Sequence, residues 1–135
     1  MPESERAAKI RHAYEAYSRG DFEPVLALLD VDVEWHPPPD SLDPQPLIGR
    51  EAVREYLAPN LFDEQRAEPE EILEREGRVL VVARTTIRGT GSGISIEETN
   101  YHLWTVIDER AVRFQVYRDR EQALAAFGDV PPPND

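Results

Sequence analysis

The chain has 135 residues, 15 lysines and arginines against 27 aspartates and glutamates for a formal charge of −12, and no cysteine. That length fits one domain with a real core, and the lack of thiols excludes disulfides, thiolate metal sites and thiol nucleophiles. The charge repels phosphate backbones and anionic lipid, so neither nucleic acid nor a membrane is expected as partner, and it serves solubility.

The start, MPESERAAKI, has no basic region followed by an apolar run, and no apolar segment approaches membrane-spanning length. The expectation is an unexported, cytoplasmic protein. Lys9 is the sole lysine, which leaves no Schiff-base lysine for the core.

In chain order, Ala7, Ile10, Ala13, Tyr14 and Tyr17 recur at helical spacing between Ser4 and Arg19, giving an amphipathic helix that Gly20 ends. Asp21 is placed to cap a second, shorter helix through Val25, Leu26, Leu28 and Leu29. Val31, Val33 and Trp35 then alternate with Asp32 and Glu34 as a half-buried strand with Trp35 on the inner face. Pro37 stops that strand at His36, because proline lacks the backbone donor and forces its predecessor to be extended. Trp35 is therefore expected on a pocket wall and His36 at the rim.

The segment 37–46 holds five prolines and reads as a loop. REAVREYLAPNLF follows as a third helix with Val53, Tyr56 and Leu57 on one side, limited by Pro59. Glu68, Glu70, Glu71, Glu74 and Glu76 then read as a solvated strip leading into a sheet.

The second half reads as β: RVLVVARTTIR and ISIEETNYHLWTVI form a hairpin across GTGSG, and DERAV turns into VRFQVYR. DREQALAAFG places Asp119 three residues before Gln122, a capping arrangement for a short helix ended by Gly128. Residues 129–135 are expected to be a disordered tail. The whole predicts one α+β domain over 1–128, with helices on one face of a curved sheet.

The chemistry is sparse. His12 points away from its helix's apolar stripe, and His36 and His102 lie on different strands without ligand spacing, so no metal is expected. GTGSG lacks the lysine of a phosphate loop, and no Gly-x-Ser-x-Gly elbow is present. Asn100, His102, Trp104 and Val106 share one face of their strand, and Tyr101, Leu103 and Thr105 share the other. Both faces carry apolar bulk, so the outer one, around Leu80, Val82, Leu103 and Tyr117, is expected to be covered by a second copy in a homodimer. Trp104, Phe114 and Val116 join Trp35 on the interior wall, with Tyr14, Tyr17 and Tyr56 approaching from the helices. Arg118 is placed to hold an anionic group at the rim, although an exposed ion pair explains it equally well.

Three stretches carry a resemblance: AYSRGDFEPVLALLDVDVEW, the helix IGREAVREYL, and the closing RAVRFQVYRDREQALAAFG. Together they resemble the SnoaL-like branch of the nuclear transport factor two-like superfamily, over roughly Ile10 to Gly128. The resemblance implies a cone of curved antiparallel sheet with three N-terminal helices packed around a deep central pocket. It also implies a function within a set that includes steroid isomerases, polyketide cyclases, epoxide hydrolases, dehydratases and members that only bind or associate.

The steroid isomerases' general base would fall on Trp35, which abstracts no proton, and their oxyanion-binding Asp falls near His102. Their helix-one Tyr falls on Ala13, beside Tyr14. The epoxide hydrolases' Asp-Arg-Asp set has no clear counterpart around Glu97 and Glu98. The expectation is a small-molecule pocket protein, a cofactor-independent acid/base enzyme on an apolar, oxygenated ligand, with a noncatalytic binder as the alternative. His102 is the candidate proton carrier, because its unperturbed pKa lies near neutrality. Tyr14, Tyr17, Trp35, His36, Tyr56, Asn100, Trp104, Phe114, Val116 and Arg118 are the candidate ligand contacts.

Overall fold

The computed structural model describes residues 4–38, 45–57, 62–89 and 93–128. Most of the proline-rich loop, Pro59, the centre of GTGSG and the segment 129–135 lie outside the described residues.

Helix α1 spans Glu5–Ser18, with Ser4 Oγ accepting the Ala7 N–H at 3.0 Å as its cap. Its stripe of Ala7, Ile10, Ala13, Tyr14 and Ala16 is buried. Helix α2, Glu23–Leu28, is introduced by Asp21, whose carboxylate accepts the Glu23 N–H at 3.2 Å. The chain passes directly into strand β1, Leu29–His36, so Leu29 belongs to the sheet and not to the helix. A register irregularity lies between Leu29 and Glu34. It leaves Val31 58% exposed while Leu29 and Val33 are fully buried, so strict alternation fails at that one residue.

A two-residue strand β2, Leu47–Ile48, pairs with β1 just before helix α3, Arg50–Leu57. Four long strands complete the sheet: β3, Phe62–Arg75; β4, Arg78–Gly89; β5, Ser95–Ile107; and β6, Arg110–Tyr117. The spatial order is β2-β1-β6-β5-β4-β3. All neighbours are antiparallel except β1 and β6, so the curved sheet is mixed and open, not wholly antiparallel or closed. Asp108 and Glu109 join β5 to β6 with φ of 52° and 65°, the left-handed pair that a two-residue hairpin needs to follow the strand twist.

The acidic strip expected to be solvated is itself strand β3. It lies at the sheet edge, where glutamates facing water and a proline at a bulge both deter pairing with other chains. Pro69 sits at that bulge, between the pairs Pro69↔Ala83 and Glu71↔Val82. Ser18 Oγ ties α1 to the same strand, accepting the Ala67 N–H at 3.1 Å and donating to the Ala67 carbonyl at 3.2 Å.

Helices α1, α2 and α3 pack on the inner sheet face around Val33, Val79, Val81, Trp104 and Phe114. Helix α4, Arg120–Phe127, packs on the opposite face, where Ala123 and Phe127 cover Leu80 and Leu103. The helices are thus not all on one face. Leu80 is 0% and Leu103 7% exposed within a single chain, so much of the cover expected from a second copy comes from the chain's own C-terminal helix.

Candidate active site

Between the helices and the inner sheet face lies a cavity of about 340 Å³, within the range of small-molecule sites. Strand alternation determines its walls. Trp35 comes from β1, Phe114, Val116 and Arg118 from β6 and its end, and Asn100, His102 and Trp104 from one face of β5. Tyr14 and Tyr17 enter from α1 and Tyr56 from α3. Tyr56 is 62% exposed and sits at the mouth, whereas Tyr14, Trp104 and Phe114 are buried.

The deep end is aromatic. Trp35 stacks on Phe114 with ring centroids 3.9 Å apart, and Trp104 meets Phe114 edge-on at 4.7 Å. Such faces suit a planar, apolar ligand.

Within this apolar wall stands one polar chain. Trp104 Nε1 donates to Tyr14 Oη at 3.1 Å, and Tyr14 Oη lies 2.6 Å from His102 Nδ1. Burial pushes the His102 pKa down to about 4, because no neighbour compensates the desolvated imidazolium. Burial raises Tyr14 strongly, against the opposing bond from Trp104, and it pushes Tyr17 up to about 12. At neutral pH the cluster is uncharged: a neutral imidazole held by a neutral phenol.

Asn100 is tied sideways. Its Nδ2 donates to Thr85 Oγ1 at 3.0 Å, and that hydroxyl donates to the Glu98 carbonyl at 3.1 Å. Because the Thr85 proton is used, Asn100 must donate there, and its Oδ1 is a buried acceptor without a partner among the described residues.

His36 is not on the cavity wall. One residue beyond the inward Trp35, it takes the opposite parity, and its Nε2 lies 3.0 Å from the Glu34 carboxylate on the same outward side. The rim position expected for it is held by Pro38, and the neighbouring Pro37 carbonyl accepts from Gln115 Nε2 at 2.9 Å. Arg118 does reach the rim, with Arg66 and Glu98 also on the lining. Among the described residues no cluster of His, Asp or Glu is disposed to hold a metal ion.

Several lining residues had escaped the sequence reading. Thr85 and Ile87 continue the parity of Val79, Val81 and Ala83 along β4, and Ile96 and Glu98 continue that of Asn100 along β5. Extending each alternation to the strand end would have found them. Gln65 and Ala67 on β3 were hidden by the glutamates around them.

Residues 10–114 match the SnoaL-like domain family, and the chain belongs to it. A nuclear transport factor two-like protein of unknown function from Burkholderia pseudomallei is 26% identical, with a TM-score of 0.74 over 93% of this chain and 99% of that one. TerC, crystallised with polyporic acid, is 24% identical, with a TM-score of 0.73 over 94% and 100% of the two chains. IdmH from Streptomyces antibioticus, a candidate polyketide cyclase, is 23% identical, with a TM-score of 0.68 over 93% and 99%. No curated protein matches the chain in sequence. No helix among the described residues is long and apolar enough to cross a membrane.

Proposed function

We propose that this protein is a cofactor-independent enzyme that moves a proton on an apolar, oxygenated small molecule, with His102 handling the proton at the ligand's reacting oxygen. One observation carries the reading: a neutral histidine on the wall of an aromatic cavity has its Nδ1 engaged by Tyr14. An oriented imidazole is what proton transfer requires and what mere enclosure of a ligand does not. Tyr14, Tyr17, Trp35, Tyr56, Asn100, Trp104, Phe114, Val116 and Arg118 form the ligand contacts in this proposal. IdmH, a candidate polyketide cyclase, and TerC, crystallised with polyporic acid, support a small organic molecule as the ligand.

A homodimer through the outer face is part of the same proposal. Leu73, Tyr101 and Tyr117 remain only half-buried around α4 and supply its apolar contact.

The test is deuterium exchange at the enolisable carbon of aryl ketones, starting with 2-tetralone, alongside quenching of the tryptophan fluorescence. In His102→Asn the amide oxygen can still accept from Tyr14, while the group at the Nε2 position is lost. The variant is expected to bind the ketone yet lose about 100-fold or more in exchange rate, the scale of a general acid/base contribution. Binding by the wild type with no exchange above buffer across the panel would identify a noncatalytic binder.

A further inference from the structure

The polar chain in the cavity wall has a direction, and the direction is set by its first member. An indole nitrogen only donates, so Tyr14 Oη must accept from Trp104. The Tyr14 proton is then available for His102 Nδ1, 2.6 Å away, which must present its lone pair. Neutral imidazole has one proton, so it resides on Nε2.

The reverse arrangement is disfavoured by the same count. If Nδ1 carried the proton, Tyr14 Oη would accept from both Trp104 and His102, and its own proton would have no acceptor among the described residues, whose only bonds to that hydroxyl are these two. A buried hydroxyl donor left unpaired is costly in a low-dielectric site. Nε2, by contrast, has no protein partner among the described residues, and the ring borders the cavity.

We infer that His102 faces the ligand as a fixed Nε2–H donor, that Trp104 is the positioning residue that locks this tautomer through Tyr14, and that the ligand therefore places an acceptor oxygen, a carbonyl or the enolate or phenolate derived from it, against Nε2. The inference rests on the cavity being the ligand site, and it narrows the proposed role. His102 stabilises charge as it develops on oxygen, while the proton leaving carbon passes to the Glu98 carboxylate on the cavity lining or to solvent base entering at the mouth. A preorganised neutral donor in an aromatic wall suits that task, since its dipole needs no rearrangement as the oxygen becomes negative.

Two measurements test it. The first is on the free protein: long-range proton–nitrogen NMR correlations of His102 distinguish the tautomers. A protonated Nε2 with an unprotonated Nδ1 is expected in the wild type, and loss of that single-tautomer pattern is expected in Trp104→Phe. A wild-type ring protonated at Nδ1 overturns the inference, whatever the protein binds. The second compares 2-acetylnaphthalene with 2-ethylnaphthalene, which share a frame and differ in the carbonyl. The wild type is expected to bind the ketone at least tenfold more tightly. His102→Asn should reduce that ketone-to-hydrocarbon ratio, taken within the variant, to about twofold, and His102→Gln, whose amide reaches the Nε2 position, should restore part of it. Equal affinity of the wild type for the two compounds overturns the inferred ligand class. Binding of neither sinks the reading of the cavity as a ligand site and the ligand class with it. A ketone preference without catalysed deuterium exchange would uphold the donor role while removing the proposed enzymatic one.

Discussion

The consequences of burying one histidine are sharpest in its pH dependence. His102 titrates at about 4 in the folded chain against 6.5 when unperturbed. Below 6.5 the unfolded state takes up a proton that the folded ring refuses, so stability rises with pH across this window. The contribution is fully present above 6.5 and is lost as pH falls to the folded value. A shift of this size corresponds to ~3 kcal/mol. Urea titrations of wild type and His102→Asn between pH 7 and 4 should therefore diverge, the wild type losing more by about that amount. Parallel losses would mean that the histidine is already charged or solvated in the fold. Tyr14 offers a second handle. Tyr14→Phe strips the partner from Trp104 Nε1 and His102 Nδ1 at once, and it is expected to cost about 2 kcal/mol in the same titration.

At the scale of elements, α4 is the piece whose role changes most between pattern and fold. Its ends follow local rules. Asp119 accepts the Gln122 N–H at 3.0 Å, and Gly128 takes the left-handed φ of 97° that terminates it. Its value lies in what it covers, since Phe127 and Ala123 seal Leu80 and Leu103. Phe127→Ala should destabilise by about 3–5 kcal/mol, as for other large-to-small core changes, and should increase binding of a hydrophobic dye to the bared sheet. Asp119→Ala should cost only about 1 kcal/mol, the weight of a cap. Similar losses for the two would mean that the helix end, not its apolar face, governs docking.

For the whole molecule, the middle of the sheet is covered on both faces, by α1, α2 and α3 on one side and α4 on the other. A homodimer then depends on the half-buried ring of Leu73, Tyr101 and Tyr117, a smaller apolar surface than an uncovered sheet would offer. Light scattering at micromolar concentration is expected to give twice the chain mass of 15.4 kDa. Replacing Tyr101 and Tyr117 together by serine should return the monomer mass; a wild-type monomer refutes the dimer.

Local chemistry alone, read from the residues, determined the elements with strong periodicity or punctuation. The stripe of α1, the capped and glycine-ended α4, and the alternating strands β4, β5 and β6 all follow from side-chain spacing and backbone preference. The inward set of Trp35, His102, Trp104 and Phe114 was legible for the same reason, because parity along a strand is a local property. Tertiary structure decided the rest. β3 is a strand because it folds back on β4 across the two-residue turn of Glu76 and Gly77, a hairpin that its glutamates do not advertise. The side of the sheet that α4 covers depends on where the chain emerges from β6, not on any motif in its own sequence. The Trp104–Tyr14–His102 chain joins residues 88 and 90 positions apart. Its direction follows from the meeting of one donor-only ring with one hydroxyl, a relation that exists only after the helix has packed on the sheet.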